Sequence, residues 1–469
     1  MTADNKVPVG NDAFTALSQR IQQKTVQVGI VGLGYVGLPI ALLFSSKGIS
    51  ATGFDIDAVK VTRLQKGESY IKHIPEADIS SALSRGHFKA TMDFSELSAM
   101  DAIIICVPTP LDDHREPDLT YVQRTTESIA AHLRPGQLVV LESTTYPGTT
   151  EEVVLPILQR AGLRCPVVPY TVLDGAAAVS DLPGADFLLA FSPEREDPGN
   201  PNFKTHQVPK VVGGVNAPSA MATKLLYEAA FNQIVLVSSS RAAEMTKLLE
   251  NIYRSVNIAL VNELKLLCQR MGLDIWEIIE AAKSKPFGFS AFYPGPGLGG
   301  HCIPIDPFYL TWKAREYEFP TRFIELAGEI NASMPLHVIE RLAHALNQRS
   351  KCLYGARILV LGIAYKKDVD DLRESPSLKL IKLLQERGAS VDYNDPYFER
   401  LHKMRQYDLG LKSVALTEES LSSYDAVLIA TNHSSYDYEF IATHAQLVVD
   451  TRNATGNVSQ QHRDKIVQA

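Results

Sequence analysis

A glycine-rich loop that ends at a cysteine is the segment of this chain best suited to chemistry. Four of the six residues from Gly295 to Gly300 are glycine; Cys302 follows, and Asp306 lies four residues further on. Glycine lets a backbone bend closely around a ligand, so the loop can present the thiol to that ligand. A buried, unreactive cysteine fits the same segment, because free cysteine is among the most buried residue types. The segment alone leaves both interpretations open.

A second glycine pattern lies between a predicted strand and a predicted helix. In a dinucleotide-binding unit the first glycine permits a tight turn, the second lets a pyrophosphate reach the backbone, and the third lets the helix pack on the strand. A carboxylate at the end of the next strand accepts the ribose hydroxyls and repels a 2′-phosphate, which favours NAD over NADP. We therefore predict NAD as the cofactor, bound by Gly32, Gly34, Tyr35, Val36, Gly37 and Asp55.

Polar residues follow three further predicted strands. Pro108 and Thr109 follow one buried strand, Thr145 follows another, and Glu194 follows a third. Open α/β sheets bind their ligands at the carboxyl ends of their strands. We therefore predict cofactor contacts from the first three residues and a base or water-orienting role for Glu194. Ordinary turns use the same residue types, so each residue also has a purely structural interpretation.

A predicted helix carries Glu244, Lys247 and Asn251 on one face. A lysine and an amide together can stabilise an oxygen that gains negative charge, whereas an exposed Glu–Lys pair would contribute little. Burial of the helix would favour the functional interpretation. The flanking residues that lead us to expect such burial are Met245, Leu248 and Leu249.

A mixed cluster of charges follows the strand that opens the last part of the chain. It runs from Tyr365 through Lys366 and Lys367 to Glu374, and Arg452 follows a later strand. Arginine and lysine at strand ends suit a phosphate-bearing ligand. A charged surface loop is the alternative for any one of these residues.

These residues need an α/β framework to position them. Strands and helices alternate up to about residue 237, helical periodicity dominates residues 240–283 and 323–347, and the alternation restarts at Arg357. The fold class predicted from this pattern is α/β, with two Rossmann-like doubly wound domains joined by a central helical segment. The predicted divisions are an N-terminal arm (1–24), an NAD-binding domain (25–215), a central segment with the cysteine loop (216–345) and a C-terminal domain (346–469).

Composition excludes several classes of protein. No run of about 18 uncharged apolar residues predicts a membrane span, and the first 24 residues lack the apolar core of a secretory signal. Five scattered cysteines without a CxxC pair indicate a reducing compartment. A formal charge of −7 without a basic run argues against nucleic acid. We expect a cytoplasmic protein without a metal site and without a nucleic-acid or membrane partner.

These constellations, in this order, resemble the UDP-glucose/GDP-mannose dehydrogenase family over residues 24–456. The most specific marks are the GPGLGGHCIPIDP segment around Cys302, the helix face with Lys247 and Asn251, and the stretch from Lys366 to Pro376. Within the family, residues 283–294 look most like the branch that oxidises UDP-N-acetylglucosamine. Neighbouring branches act on UDP-glucose or UDP-N-acetylmannosamine, and UDP-N-acetylgalactosamine is a further alternative.

The resemblance implies two successive NAD-dependent oxidations that convert a sugar C6 alcohol to a carboxylate. Cys302 would capture the aldehyde as a thiohemiacetal, which becomes a thioester and is then hydrolysed. Lys247 and Asn251 would hold the C6 oxygen. The resemblance further implies that water or a proton is handled by Asp306 and Thr145, and that thioester hydrolysis is assisted by Glu194.

The resemblance also implies where the substrate and the partner subunit bind. The implied substrate-binding residues are Glu194, Lys247, Asn251, Phe292, Tyr293, Gly297, Tyr365, Lys366 and Arg452, with Lys367 as an alternative to Lys366. The central helices would form a homodimer or a higher homo-oligomer, and the product would serve surface polysaccharide synthesis. Two other functions stay open: a two-electron dehydrogenase of the hydroxyacid type, and a non-catalytic NAD-binding sensor.

Overall fold

The computed structural model describes residues 12–71, 74–112, 116–178, 184–195, 204–300, 303–401 and 407–469. The chain divides into two compact units between Glu250 and Asn251. This division falls within the longest helix of the described residues, α8 (Ser240–Met271).

A mostly parallel β-sheet forms the centre of the first unit. Its strands are β1 (Gln27–Val31), β2 (Ser50–Phe54), β3 (Phe88–Thr91), β4 (Ala102–Ile105), β5 (Leu138–Leu141), β8 (Leu188–Phe191), β9 (Lys210–Gly214) and β10 (Ile234–Leu236). Within the described residues these eight strands lie in the order β10-β9-β8-β5-β4-β1-β2-β3. β9 and β10 are parallel to each other, and β9 pairs antiparallel with β8. A separate antiparallel hairpin consists of β6 (Thr171–Leu173) and β7 (Ala176–Ala178).

Helices connect these strands. They are α1 (Asp12–Gln22), α2 (Gly37–Ser46), α3 (Ala58–Gln65), α4 (Glu76–Ser84), α5 (Thr120–Ala130), α6 (Leu155–Gln159) and α7 (Ala217–Glu228). A π-helical turn over Thr150–Val154 leads into α6. The residues of β4, β5 and β8 are all buried, as expected for parallel strands covered on both faces.

The second unit begins with helices and ends with a smaller sheet. Its helices are α9 (Ile275–Lys283), α10 (Asp306–Ala314), α11 (Arg322–Asn347), α12 (Pro376–Glu386), α13 (Glu418–Ser422) and α14 (Tyr438–His444). Its strands are β11 (Arg357–Leu361), β12 (Ser390–Asn394), β13 (Ala426–Ile429), β14 (Val448–Asp450) and β15 (Ile466–Gln468). The described strands pair in parallel in the order β12-β11-β13-β14-β15. Short 3-10 turns occupy Phe94–Ala99, Thr205–Gln207, Arg315–Tyr317 and Gln460–Lys465.

In each sheet, the turn after one interior strand, β1 or β11, begins with a glycine of positive φ: Gly32 in the first unit and Gly362 in the second. After β11, Gly362 has a φ of +78°, and a Cβ on it would lie 2.3 Å from the carbonyl oxygen of Thr431. Asp395, at the end of β12, accepts the backbone N–H of Ile363 at 2.7 Å. Asp395 also lies 3.1 Å from the Nε2 atom of His433. The predicted fold class, α/β with Rossmann-like sheets, is confirmed by this architecture.

No helix in the described ranges is long and apolar enough to cross a bilayer.

Candidate active site

The turn between β1 and α2 has room for a ligand at one of its three glycines. Gly32 has a φ of +96°, and a Cβ on it would lie 2.5 Å from the carbonyl oxygen of Cys106. A Cβ on Gly37 would lie 1.9 Å from the carbonyl oxygen of Gly32, whereas a Cβ on Gly34 would meet no atom of the described residues within 4 Å. The protein's own packing therefore requires glycine at two positions. Gly34 faces open space, where a pyrophosphate could approach the backbone.

Asp55 holds this turn in place. Its carboxylate accepts the backbone N–H of Leu33 at 2.9 Å and that of Asp57 at 3.0 Å. The Lys60 ammonium lies 3.5 Å from the same carboxylate. Each carboxylate oxygen can accept more than one hydrogen bond, so Asp55 can still bind ribose hydroxyls. Tyr35, in the turn, is half-buried.

The strand ends beside β1 bring further predicted residues to the same edge. β4 pairs with β1, and β5 pairs with β4, so Pro108, Thr109 and Thr145 follow neighbouring parallel strands. Pro108 is exposed and Thr109 is buried. Thr145 is fully buried, and its hydroxyl has no hydrogen-bond partner within the part of the chain that the structure describes. A buried hydroxyl without a partner is costly, so a ligand atom at this edge would suit Thr145. The turn and the strand ends therefore fit a dinucleotide.

Glu194 and Lys247 meet within the first unit. The Lys247 ammonium lies 3.3 Å from Oε2 of Glu194 and also donates to the Glu194 backbone carbonyl. Lys247 is only 4% exposed, so this cation is fixed in position and poorly hydrated. Two of the residues singled out in the sequence are therefore adjacent, and their charges are opposite.

A buried ion pair that sequence reasoning missed supports the Glu194 loop. The Lys210 ammonium lies 2.6 Å from the Glu142 carboxylate and 3.2 Å from the carbonyl oxygen of Pro193. The hydroxyl of Tyr227 donates to the other carboxylate oxygen of Glu142. These contacts tie the end of β5 to the loop after β8. Glu142 begins the segment that leads to Thr145, but Lys210 belongs to no motif and lies 68 positions away, so the sequence offers no signal for the pair.

Asn251 and Asp306 meet within the second unit. The side-chain amide of Asn251 donates to the Asp306 carboxylate, and Arg254 donates to the amide oxygen of Asn251. Both Asn251 and Asp306 are buried. Asp306 is the first residue of α10, and Asn251 lies four residues after Lys247 on α8.

The apolar residues that flank this helix face are not all buried. The expectation is correct for Leu248, which is fully buried, but wrong for Met245 and Leu249, which are 38% and 60% exposed. At about 100° of rotation per residue, these two residues lie about 100 to 160° around the helix from Glu244 and Lys247. Only one side of α8 is covered by the first unit.

The glycine-rich loop packs closely on residues of the second sheet. A Cβ on Gly295 would lie 2.4 Å from a guanidinium nitrogen of Arg452, and one on Gly299 would lie 2.7 Å from Cβ of Tyr365. Gly297 has a φ of +139°, a conformation that favours glycine. The loop that contains Gly297 therefore lies against two other predicted substrate residues, Tyr365 and Arg452.

Arg452 is held by its surroundings as a fixed cation. Its Nε atom donates to the carbonyl oxygen of Ala430 at 3.1 Å. Burial lowers the pKa of Arg452 to about 10, and the charge of Asp450 acts in the opposite direction. The guanidinium is therefore still charged at neutral pH, as a phosphate ligand requires.

The two predicted aromatic residues pack against α8 and α9. The ring of Phe292 meets that of Tyr253 edge-on, with centroids 5.6 Å apart. The ring of Tyr293 stacks on Trp276 at 5.8 Å, and its hydroxyl donates to Glu280 at 2.6 Å.

Three further predicted residues are Lys366, Lys367 and Cys302. Lys366 and Lys367 are both exposed after Tyr365, so the choice between them stays a prediction. Cys302 lies outside the described residues. Its role rests on the sequence.

Comparisons with known proteins agree with the order of these sites along the chain. The models of the UDP-glucose/GDP-mannose dehydrogenase family match its NAD binding domain at residues 26–231, its central domain at 241–333 and its UDP binding domain at 359–457.

The chain is similar to curated relatives and to a solved structure whose names give different sugars. It is 34% identical to a UDP-N-acetyl-D-glucosamine 6-dehydrogenase of Pseudomonas aeruginosa, over 88% of this chain and 92% of the relative. It is also 34% identical to a UDP-N-acetyl-D-mannosamine dehydrogenase of Pyrococcus horikoshii, over 91% and 96%. A solved UDP-D-ManNAc dehydrogenase from Pyrococcus horikoshii superposes with a TM-score of 0.81 at 32% identity, covering 94% of this chain and 99% of that one.

We predict that Gly34→Ala weakens NAD binding without weakening the fold. The added methyl group meets no atom within 4 Å in the part of the chain that the structure describes, but it occupies the space that a pyrophosphate needs. We expect an unchanged melting temperature and a Kd for NAD raised about tenfold or more, which corresponds to one lost hydrogen bond to a charged group. Calorimetric titration and thermal unfolding measure the two quantities.

Gly184→Ala is the matched control, since a Cβ on Gly184 also meets no atom within 4 Å among the described residues. It should change neither quantity. Unaltered NAD affinity in Gly34→Ala would contradict the assignment of this turn to the cofactor.

Proposed function

Because the chain belongs to the UDP-glucose/GDP-mannose dehydrogenase family, we propose that it oxidises UDP-N-acetylglucosamine to UDP-N-acetylglucosaminuronate for surface polysaccharide synthesis. The chain is an NAD-dependent nucleotide-sugar dehydrogenase, which confirms the sequence prediction. Two relatives with the N-acetylglucosamine name, from Pseudomonas aeruginosa and Salmonella typhi, support the choice of sugar at 34% and 32% identity. Residues 283–294 support it independently.

UDP-N-acetylmannosamine is the second candidate substrate. Relatives with that name reach the same 34% identity, and the solved structure that superposes with a TM-score of 0.81 carries it as well.

The proposed reaction converts one alcohol, two NAD⁺ and one water into one carboxylate, two NADH and three protons. NAD, when bound, supplies the hydride acceptor for each oxidation. Between the two oxidations the Cys302 thiolate forms a C–S bond to the aldehyde carbon, and the second oxidation leaves a thioester. Water then adds to the thioester carbon, and the C–S bond breaks to return the thiol. Covalent capture would let one site perform both oxidations without releasing the aldehyde.

The pair of Lys247 and Glu194 is the observation that best supports this chemistry. A nearly buried ammonium can stabilise an oxygen that becomes negative, and a nearby ammonium lowers the pKa of a thiol. Glu194, held 3.3 Å from that ammonium, is proposed to assist thioester hydrolysis. Asn251 is proposed to hold the C6 oxygen with Lys247, while Asp306 and Thr145 position water or accept a proton.

The nucleotide is proposed to bind at the second sheet. The UDP binding domain model matches residues 359–457, and this range contains Tyr365, Lys366 and Arg452. A guanidinium can bind phosphate oxygens through two parallel hydrogen bonds. The close contact of Gly295 with Arg452 supports a role for the loop Gly295–Gly300 beside the phosphates of the nucleotide.

A homodimer through the central helices is proposed from an exposed apolar stripe on α8. Its members within the second unit are between 38% and 61% exposed: Tyr253, Leu260, Leu264, Leu267 and Met271. Spacings of three, four and seven residues place them on one side of the helix. A contiguous apolar stripe of this kind favours a protein interface.

The proposed chemistry predicts two NADH for each sugar consumed. Cys302→Ser should abolish acid formation, because an alkoxide-forming hydroxyl is a far weaker nucleophile than a thiolate. Absorbance at the NADH band, together with chromatography of the sugar nucleotide, measures the ratio. Cys352→Ser, at an exposed cysteine, should keep the ratio at two.

One NADH per sugar would instead indicate a two-electron dehydrogenase. NAD binding without any NADH formation across UDP- and GDP-sugars would indicate a sensor. Full acid formation by Cys302→Ser would rule out this nucleophile.

The proposed substrate predicts the order of rates across four sugars. The kcat/KM for UDP-N-acetylglucosamine should exceed those for UDP-glucose, UDP-N-acetylgalactosamine and UDP-N-acetylmannosamine by about tenfold or more, since a polar group left unpaired in the site costs at least about 1 to 3 kcal/mol. Initial rates of NADH formation give the comparison. A higher value for UDP-N-acetylmannosamine would favour the second candidate.

The proposed dimer predicts that charges on the α8 stripe produce a monomer. Leu260→Glu combined with Leu264→Glu places two carboxylates on the apolar face, where burial without a partner is costly. Light scattering after size exclusion should show about half the wild-type mass. Tyr121→Glu, at a 45% exposed residue of α5, is the control and should keep the wild-type mass. A dimeric double variant would exclude this surface.

A further inference from the structure

Glu244 accepts hydrogen bonds to which neither the sequence pattern nor the proposed chemistry gives a role. Its carboxylate is fully buried. It accepts the backbone N–H of Gly148 at 2.5 Å, and the backbone N–H and hydroxyl of Thr150 at 2.9 and 2.7 Å. The segment that supplies these donors begins three residues after Thr145. The carboxylate of Glu244 therefore links α8 to the loop that carries Thr145.

The first turn of α8 adds charged contacts to the same segment. The hydroxyl of Ser240 donates to Glu151 at 2.8 Å. Arg241 pairs with Glu151 at 2.8 Å and with Glu152 at 3.1 Å. The start of α8 and residues 148–152 are thus joined by a set of contacts with Glu244 at its buried end.

We propose that Glu244 is a positioning residue that fixes the Thr145 loop relative to Lys247. Glu244 precedes Lys247 by one helical turn, so a rigid helix transmits the position of the loop to the ammonium. Lys247 in turn contacts Glu194. The inference rests on the proposed function for the roles of Thr145, Lys247 and Glu194, while the contacts of Glu244 are independent of it.

A carboxylate suits this position better than a neutral side chain. The donors from Gly148 and Thr150 converge on both oxygens of Glu244, and an ionised carboxylate presents only acceptors. A glutamine would direct its NH₂ group at one of these donors. The carboxylate also lies at the N-terminus of the helical segment that begins at Thr150, where negative charge is favoured.

The protonation of Glu244 can be followed near neutral pH. Burial raises the pKa of Glu244 to about 7, hydrogen bonds from Thr150 and Gly148 act against this rise, and the charge of Glu151 adds to it. The other charged groups at this place are Glu152 and Arg241. The ionised carboxylate accepts both backbone donors more strongly than the protonated acid does, so the contact should weaken as the pH falls through about 7.

Glu244→Gln tests the proposal through activity. At pH 8 we expect kcat to fall by about 10- to 100-fold, the effect of weakening a hydrogen bond to a charged group, with a smaller change in KM for the UDP-sugar. The fall in wild-type activity below about pH 7 should be reduced in the variant. Glu228→Gln is the control, since Glu228 is an exposed residue of α7 that pairs with Lys224 at 2.7 Å.

Amide hydrogen exchange tests the same contact without substrate. Exchange at Gly148 and Thr150 should become at least about tenfold faster in Glu244→Gln at pH 8 and should not change in Glu228→Gln. If Glu244→Gln does not fold, exchange is measured in the wild-type protein between pH 6 and 8. After correction for the intrinsic exchange rate, the protection of the Gly148 and Thr150 amides should decrease as the pH is lowered through about 7.

Two results would overturn the inference: wild-type kcat in Glu244→Gln with unchanged exchange, or wild-type protection that is constant from pH 6 to 8. A wild-type protein that forms no NADH with any UDP-sugar would refute the proposed function, and the exchange measurements would still decide the role of Glu244.

Discussion

The regular spacing of helix α8 is the constraint on which the polar contacts of the proposed site depend within each of the two units. α8 extends over 32 residues, or about 48 Å at 1.5 Å per residue. Its polar side chains each hold a different loop: Glu244 holds residues 148–150, Lys247 contacts Glu194, Asn251 contacts Asp306, and Asn262 accepts the backbone N–H of Gly295 at 3.0 Å. A helix fixes the relative positions of its own residues. Within the first unit α8 therefore sets the spacing of the contacts made by Glu244 and Lys247, and within the second unit it sets the spacing of those made by Asn251 and Asn262.

Steric exclusion and open space together define the cofactor turn. Gly32 and Gly37 are required because a Cβ would collide with backbone, whereas Gly34 has free space around it. The second unit repeats the first part of this design with Gly362 and Asp395. The carboxylate of Asp395 also contacts His433, and the residues after Gly362 are not glycines. The same turn is therefore used without the dinucleotide fingerprint.

Local patterns made much of this protein predictable from its sequence. Strand, helix and glycine signals are encoded within a few residues, and they gave the fold class and the turn at Gly32. Contacts between distant residues were not accessible in the same way. The partners of Glu244 lie 94 and 96 positions away, so its helix face suggested a role beside Lys247, while its hydrogen bonds serve the Thr145 loop. The Lys210–Glu142 pair was missed for the same reason.

The most direct test of the proposed site is to look for the covalent intermediate when its hydrolysis is slowed. Glu194→Gln would be mixed with NAD and UDP-N-acetylglucosamine, quenched in acid and digested, and the peptide that contains Cys302 would be weighed by mass spectrometry. We predict that this peptide gains the mass of the sugar-nucleotide acyl group, and that the adduct is absent when NAD is omitted. Steady formation of the uronate with Cys302 unmodified, in both the variant and the wild type, would contradict covalent capture at this cysteine.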